Sequence, residues 1–198
     1  MYDLQDQRWI KNSKQLDSSI EMKVVLTFDD GPSRQLNRIL DILRDRKVSA
    51  IFFWQSKLLY KERPWKRVIE EGHAIGAHTY SHKNLVKLRR DQQLKQIKMN
   101  ISQIEDITGY KVNYFRPPFG QYNEDTMSIL DELDLIPMMW EISSYDWENK
   151  LTPNRIIYNV VENIMDGSII LLHELEQTVT ILPQLIDEVR GKGFEFIV

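Results

Sequence analysis

The sequence predicts an α/β domain in which parallel strands curl into a closed or nearly closed barrel. Short apolar runs alternate with amphipathic stretches along most of the chain, and seven such runs can be counted. Strands separated by helices run parallel, because each helix returns the chain to the starting edge of the sheet. Seven units in one domain favour a barrel, with an open, doubly wound sheet as the structural alternative.

Apolar runs bounded by turn residues predict the strands. The first run, Val24-Val25-Leu26, leads into Thr-Phe-Asp-Asp-Gly-Pro, where Gly-Pro forces a turn. The strands are expected near residues 23–28, 49–54, 73–77, 112–116, 135–141, 168–172 and 194–198.

Helical periodicity between these runs predicts helices. The longest has one apolar face at helical spacing, and Gly109 should end it. Asn123, followed by two acids, is typical of a helix N-cap. The apolar face consists of Leu94, Ile97, Ile101 and Ile104. The helices are expected near residues 35–46, 63–71, 89–108, 123–133, 152–165 and 178–191.

The composition is that of an ordinary globular protein. Of the 198 residues, 42% are hydrophobic and 28% charged, which is enough for a sizeable core. The 26 basic and 29 acidic residues give a net charge of −3, so we expect no nucleic-acid partner. A basic run is interpreted as a solvated rim, with a minor role in gripping substrate left open. That run contains Lys83, Lys87, Arg89 and Arg90.

The chain contains no cysteine, which excludes disulfides, thiolate metal ligands and a cysteine nucleophile. No segment approaches the ~20 apolar residues of a membrane helix. Residues 1–22 are predicted to be a polar extension before a single folded domain at 23–198. They lack the apolar core of a signal peptide, so a full-length product is expected to be cytoplasmic. Export stays open if the chain is a trimmed form of a longer protein.

Two adjacent carboxylates, Asp29 and Asp30, close the first strand. Such a pair is costly at the mouth of a buried strand unless a metal or a cation compensates its charge. Neighbouring strand residues point to opposite sides, so the two acids should differ in role. One metal ligand and one base is the division that we expect.

His78 and His82 follow the third predicted strand at a spacing of four residues. On one helical turn this spacing would place both imidazoles on the same face. With Asp30 they form a two-histidine, one-carboxylate set that leaves coordination positions for water and substrate. Imidazole ligands favour Zn²⁺ or another first-row ion over Mg²⁺ or Ca²⁺.

Further polar residues follow the later strands. Arg116 ends the fourth strand, where a guanidinium could keep a neighbouring acid ionised. His173 directly follows the sixth strand, and Asp146 could orient and charge it. Each cluster falls at the carboxyl end of a strand, where α/β barrels assemble their active sites. Trp140, Tyr145 and Trp147 supply aromatic surface of the kind on which sugar rings stack, with packing in the core or at the rim as the alternative.

Five motifs occur in order along the chain: TFDDGP at 27–32, HTYSH at 78–82, RPPFG at 116–120, YDW at 145–147 and LLHE at 171–174. Together they resemble the motifs of the polysaccharide deacetylase family, also called the NodB-homology domain or carbohydrate esterase family 4. The resemblance covers residues 23–198 and implies a distorted seven-stranded (β/α) barrel. It also implies metal-dependent removal of N-acetyl groups from GlcNAc-containing glycans such as chitin oligomers or peptidoglycan.

The resemblance assigns a role to each matching residue. Asp29 resembles the catalytic base, Arg116 the partner that tethers it, and the backbone N–H of Phe119 the oxyanion donor. His173 and Asp146 resemble the pair that holds the catalytic acid. The implied metal ligands are Asp30, His78 and His82, which would bind Zn²⁺, with Co²⁺ or Ni²⁺ as substitutes. The implied substrate-binding residues are Trp147 and Leu171, as walls of the acetyl pocket, and Tyr145.

Three positions depart from the family pattern: Ser143 and Glu174 stand where Asp is usual, and Phe119 where Tyr is usual. No core residue is missing, so an active, monomeric hydrolase is expected. The family resemblance suggests an extracellular or cell-wall location. The alternatives are the same barrel acting on a small amide, formyl or ureide substrate, and a carbohydrate-binding relative without catalysis.

Overall fold

The computed structural model describes residues 5–19 and 21–198, and within these ranges the chain forms eight strands and six α-helices. The strands are β1 (Lys23–Gly31), β2 (Ile51–Trp54), β3 (Ala74–Ala77), β4 (Tyr114–Phe115), β5 (Ile136–Pro137), β6 (Ile142–Ser143), β7 (Ile169–His173) and β8 (Glu195–Ile197). The helices are α1 (Leu36–Arg46), α2 (Trp65–Glu70), α3 (Arg90–Thr108), α4 (Glu124–Glu132), α5 (Asn154–Val161) and α6 (Glu176–Gly191). No helix among these residues is long and apolar enough to cross a membrane.

The strands form one parallel sheet in the order β5-β4-β3-β2-β1-β7-β6, and β8 adds to the start of β1. Strand β1 lies at the centre and pairs with both β2 and β7. Its apolar residues Val24, Leu26 and Phe28 are fully buried. The carboxyl ends of these strands therefore meet at one edge, as the barrel prediction requires.

The predicted fifth strand, 135–141, is broken into two short strands, β5 and β6. β5 pairs with β4 at one end of the strand order, whereas β6 pairs with β7 at the other end. The chain changes partner between them, and Pro137 has no N–H to continue a ladder. The α/β barrel is thus confirmed as a curled parallel half-barrel, and the break accounts for the eighth strand.

The helix signals in the sequence correspond to observed caps. Asn123 accepts a hydrogen bond from the N–H of Thr126 at the start of α4, and Gly109 has a φ of 68° after α3. A positive φ is accessible to glycine without a steric cost, which explains why α3 ends there.

His73 precedes β3 at the edge of the sheet opposite the predicted site, and it is 5% exposed. Its Nδ1 accepts a hydrogen bond from the N–H of Ala50 at 3.1 Å. Burial lowers the pKa of His73 to about 4, so the imidazole is neutral in the folded protein near pH 7.

We expect His73 to make the protein less stable in mild acid. Between pH 6.5 and about 4, the unfolded chain binds a proton at His73 that the folded protein does not. The free energy of unfolding then falls as pH falls, by up to roughly 1.4 kcal/mol per pH unit. His73→Asn, which keeps an acceptor for Ala50, should show a shallower decline in urea titrations across this range. Equal slopes in the two proteins would contradict this prediction.

Candidate active site

A cavity of about 510 Å³ opens at the carboxyl ends of the strands. It contains nine of the eleven residues that the motifs single out, whereas Arg116 and Asp146 lie fully buried behind it. The lining residues are Asp29, Asp30, His78, His82, Pro117, Phe119, Trp140, Ser143, Tyr145, Trp147, Leu171, His173 and Leu175.

Asp29 and Arg116 form a buried ion pair at the base of this cavity. Nη1 of Arg116 donates to Oδ1 of Asp29 at 2.7 Å and to the hydroxyl of Thr27 at 2.8 Å. The guanidinium also stacks over the ring of Phe53, 4.1 Å from its centroid. Because Asp29 is only 3% exposed, this fixed cation compensates a charge that burial alone would disfavour.

Asp30, His78 and His82 bring three potential ligand atoms to within 4.8 Å of one another. Oδ1 of Asp30 lies 3.1 Å from Nε2 of His82 and 3.6 Å from Nε2 of His78. These separations suit an ion bound at about 2 Å from each atom. Nδ1 of His78 lies 2.7 Å from the carbonyl oxygen of Arg116. A proton on Nδ1 would leave Nε2 as the ligand atom.

The pKa shifts of His82 and Asp30 favour the protonation states that bind a cation. Burial, which disfavours a positive charge, and the neighbouring His78 lower the pKa of His82. Burial raises the pKa of Asp30, but the charges of the neighbouring histidines outweigh it, so that the pKa is lowered overall. A neutral imidazole beside a carboxylate fits a divalent ion such as Zn²⁺.

The local backbone differs from the helical turn expected for His78 and His82. The segment is an irregular turn in which Thr79 has a φ of 65° and His82 a φ of 55°. Buried Asn100, on α3, holds this turn by accepting from the N–H of His78 and donating to the carbonyl of Thr79. The two imidazoles converge through this turn, with ring centroids 5.0 Å apart.

His173 and Asp146 form the third polar pair. Nδ1 of His173 lies 2.7 Å from Oδ1 of Asp146, while Oδ2 accepts from the N–H of His173 and from the hydroxyl of Thr178. Burial lowers the pKa of His173, but the hydrogen bond and charge of Asp146 outweigh it and raise that pKa overall. Nε2 faces the cavity, 3.9 Å from Oδ2 of Asp30.

Apolar walls surround these polar groups. Trp147 packs edge-on against His173 at a centroid distance of 5.2 Å, and Tyr145 packs against Trp147 at 5.3 Å. Leu171 is 3% exposed on β7, and Phe119 packs edge-on against His82 at 4.6 Å. The cavity therefore combines charged groups at its base with aromatic surface at its rim.

Backbone strain is concentrated around this cavity. Among the described residues, eight other than glycine have a positive φ, and five belong to the site. Positive φ costs an ordinary residue free energy, and such residues cluster where surrounding contacts hold them for function. The five are Asp30, Thr79, His82, Phe119 and Tyr145.

Two of the departures from the motifs have visible structural consequences. Glu174 is buried, and its carboxylate accepts from the N–H of Ser33 and from Nε1 of Trp54. A Cβ on Gly31 would lie 1.8 Å from that carboxylate, so glycine is required there. The hydroxyl of Ser143 is buried at the cavity wall and has no hydrogen-bond partner among the described residues.

Sequence reasoning missed Gln55, which follows β2. Its Nε2 donates to Oδ1 of Asp30 at 2.9 Å, the oxygen nearest to both histidines of the cluster. Its backbone N–H is anchored to the carbonyl of Gly31 at 2.8 Å. No local motif indicates this contact, because it depends on two adjacent strands ending together.

We expect Gln55→Ala to weaken divalent-metal binding by roughly 10–100-fold, the usual effect of removing a group that orients a metal ligand. The measurement is a Zn²⁺ titration of metal-free protein against a competing indicator. Gln121→Ala is the matched control, because Gln121 accepts from Asn84 at the protein surface and does not touch the cluster. An unchanged Zn²⁺ affinity in Gln55→Ala would rule out this role.

Fold and site together define a curled α/β barrel with a possible Asp-His-His metal site at the carboxyl ends of its strands. The sequence model described as polysaccharide deacetylase matches residues 17–137, and the chain belongs to that family. Solved structures with the same fold are classified in carbohydrate esterase family 4.

Three similar proteins illustrate the range of this family. A peptidoglycan-N-acetylglucosamine deacetylase of Bacillus cereus is 34% identical over 88% of this chain and 66% of its own length. A family 4 carbohydrate esterase from Streptomyces lividans, solved with acetate, has a TM-score of 0.82 and 27% identity over 91% of this chain and 94% of that one. A family 4 pseudoenzyme from Bacillus anthracis has a TM-score of 0.81 and 26% identity, covering 89% and 63%. The chain spans about two thirds or less of the curated relatives that it matches.

Proposed function

We propose that this protein is a metal-dependent N-deacetylase that hydrolyses N-acetyl groups on a GlcNAc-containing glycan and releases acetate. The observation that carries the proposal is one cavity lined by Asp29, by the three-ligand cluster and by His173. Arg116 and Asp146 hold Asp29 and His173 from behind. A binding protein needs neither a base nor an acid, so this combination favours catalysis over the pseudoenzyme alternative.

The metal ligands in this proposal are Asp30, His78 and His82, and the ion is Zn²⁺, with Co²⁺ or Ni²⁺ as functional substitutes. A bound divalent ion would polarise the acetyl carbonyl and lower the pKa of the attacking water. A set of three protein ligands would leave coordination positions for water and substrate.

Asp29 acts as the general base in this mechanism. It accepts a proton from the water that attacks the carbonyl carbon, and Arg116 holds its carboxylate in position. The backbone N–H of Phe119 donates to the oxygen on which negative charge develops. These groups act on the same carbonyl from the base and the rim of the cavity.

His173 acts as the general acid. Its raised pKa keeps the imidazolium populated, and Nε2 faces the cavity from which the leaving nitrogen departs. Proton donation is needed because an amine anion is a poor leaving group. Trp147 and Leu171 confine the acetyl methyl, and Tyr145 offers a surface on which a sugar ring can stack.

Bacterial peptidoglycan is the substrate that we favour, since the similar deacetylase of Bacillus cereus is named for it. We propose further that the protein acts as a monomer, because one chain supplies every catalytic group. We also propose that it works at the cell wall, where this substrate is found. Chitin oligomers are the second glycan to test.

The deciding experiment measures acetate released from GlcNAc oligomers and from purified peptidoglycan. We expect release that a chelator abolishes and that added Zn²⁺ or Co²⁺ restores. Release from a small formamide or ureide, but from neither glycan, would favour the small-amide alternative. Glycan binding without acetate release from any substrate, with Zn²⁺ bound, would favour a non-catalytic protein.

A further inference from the structure

Residues 9–13, here called the N-terminal strap, lie in the seam where the chain changes from β5 to β6. Ile10 pairs in parallel with Met138, and Asn12 pairs antiparallel with Ser168 just before β7. We propose that the strap positions Arg116, and through it Asp29, so that a segment outside the recognised motifs sets the geometry of the base. The catalytic consequence rests on the function proposed above.

The strap is firmly anchored in the molecule. Trp9 is fully buried in the main core, and its ring packs on Tyr122 at a centroid distance of 4.6 Å. At the other end, the N–H of Ser13 donates to the carbonyl of Gly167 at 2.7 Å. Asn12 approaches so closely that a Cβ on Gly167 would lie 2.0 Å from its Oδ1. Core packing and a close approach to glycine therefore fix both ends.

Two backbone hydrogen bonds join the strap to the end of β5 and to the residues that follow it. The N–H of Ile10 donates to the carbonyl of Pro137 at 2.9 Å, and the N–H of Met139 donates to the carbonyl of Ile10 at 2.8 Å. The N–H of Met138 still donates to the carbonyl of Phe115 in β4, and the N–H of Glu141 already donates to the carbonyl of Ile169 in β7, so residues 139–140 lie between the two ladders. The strap supplies a pairing partner at this point.

The carbonyls on either side of the strap-bonded Met139 N–H hold the guanidinium. Nη2 of Arg116 donates to the carbonyl of Met139 at 2.6 Å, and Nε donates to the carbonyl of Met138 at 3.2 Å. A displacement of these carbonyls would therefore move Arg116 and its contact with Asp29. Catalytic groups displaced by about 1 Å can lose ~10²-fold in rate.

The metal cluster does not bond to the Met138 and Met139 carbonyls, and it meets this series of hydrogen bonds at the backbone carbonyl of Arg116, beside Nδ1 of His78. Asp30 and His82 contact each other and Gln55, and His78 is held by Asn100 and by the backbone of Arg116. Loosening the strap should therefore reduce turnover without a matching loss of metal affinity. This difference separates positioning of the base from a general loss of structure.

The experiment compares Trp9→Ala and Ile10→Pro with Leu185→Ala, a cavity-forming variant in the core of α6. Ile10→Pro removes the N–H that donates to Pro137, and Trp9→Phe tests rescue by a second ring. All proteins are assayed well below their melting temperatures. Each is measured for acetate release, Zn²⁺ affinity and the exchange rate of the Arg116 Nε proton by NMR.

We expect the two strap variants to lose about 10-fold or more in kcat, with KM and Zn²⁺ affinity within about twofold of the parent protein. Exchange of the Arg116 Nε proton should accelerate, and Trp9→Phe should recover most of both losses. Leu185→Ala should lower the melting temperature but change neither kcat nor the exchange rate of the Arg116 Nε proton. If Trp9→Ala does not fold, Ile10→Pro carries the comparison.

The proposal would be overturned if the strap variants kept the kcat of the parent protein and slow exchange at Arg116. It would also be overturned if Leu185→Ala lost as much kcat as the strap variants. If the parent protein releases no acetate, the proposed function fails instead. Proton exchange at Arg116 then still decides whether the strap positions it.

Discussion

His173→Ala is expected to reduce deacetylation by about 10²–10⁴-fold while metal affinity stays near that of the parent protein. His173 does not belong to the three-ligand cluster, and its Nε2 is 3.9 Å from the nearest Asp30 oxygen. Acetate release and Zn²⁺ titration on the same preparation test both parts. Near-normal turnover with metal bound would refute the acid assignment.

The pH dependence gives an independent test of the same residue. Asp146 raises the pKa of His173, so the imidazolium survives to higher pH than it would alone. Asp146→Asn removes that charge, so the alkaline limb of the pH–rate profile should move to lower pH. An unmoved limb, in a variant that remains folded, would mean that another group supplies the proton. The profile should be measured at saturating Zn²⁺ to exclude metal loss.

Arg116→Ala is expected to cost at least ~10²-fold in turnover, because it leaves Asp29 buried without its cation and without orientation. Phe119→Ala should retain much more activity, since the backbone N–H assigned to the oxyanion remains. The comparison separates a side-chain role from a backbone role within one loop. Melting curves and Zn²⁺ titrations establish that both variants are folded and bind metal.

The opposite ranking, with Phe119→Ala inactive and Arg116→Ala normal, would overturn both assignments. A milder variant, Arg116→Lys, keeps the charge but not the planar fork that binds Asp29 and two carbonyls. We expect its turnover to lie between those of Arg116→Ala and the parent protein. This order would show that geometry matters as well as charge.

The sequence predicted the barrel and the convergence of its motifs because both depend on local signals. Apolar runs mark the strands, and turn residues place Asp29, His78 and His173 at their carboxyl ends. The break in the fifth strand was not predictable in this way, because the change of partner from β4 to β7 is a tertiary event. The irregular turn at His78 was not predictable either, because its non-glycine residues adopt positive φ under the constraint of Asn100.

Local composition did not predict the burial of residues 9–13 or the contact made by Gln55. Residues 9–13 are surrounded by charged residues in the sequence, yet Trp9 is completely buried. Gln55 has no motif of its own, although it contacts Asp30 across neighbouring strand ends. In both cases the deciding contact joins segments distant in the chain, and single-sequence periodicity contains no information about such pairs.

Phe119 illustrates how such a site can diverge. Its side chain is 56% exposed at the rim, whereas its proposed contribution to the reaction comes from the backbone. Substitutions there would change what the rim offers to neighbouring sugars and leave the donor for the oxyanion in place. The position can therefore vary among descendants of one ancestor more freely than Arg116 or Asp146. New glycan preferences could arise at Phe119 without a period of lost activity.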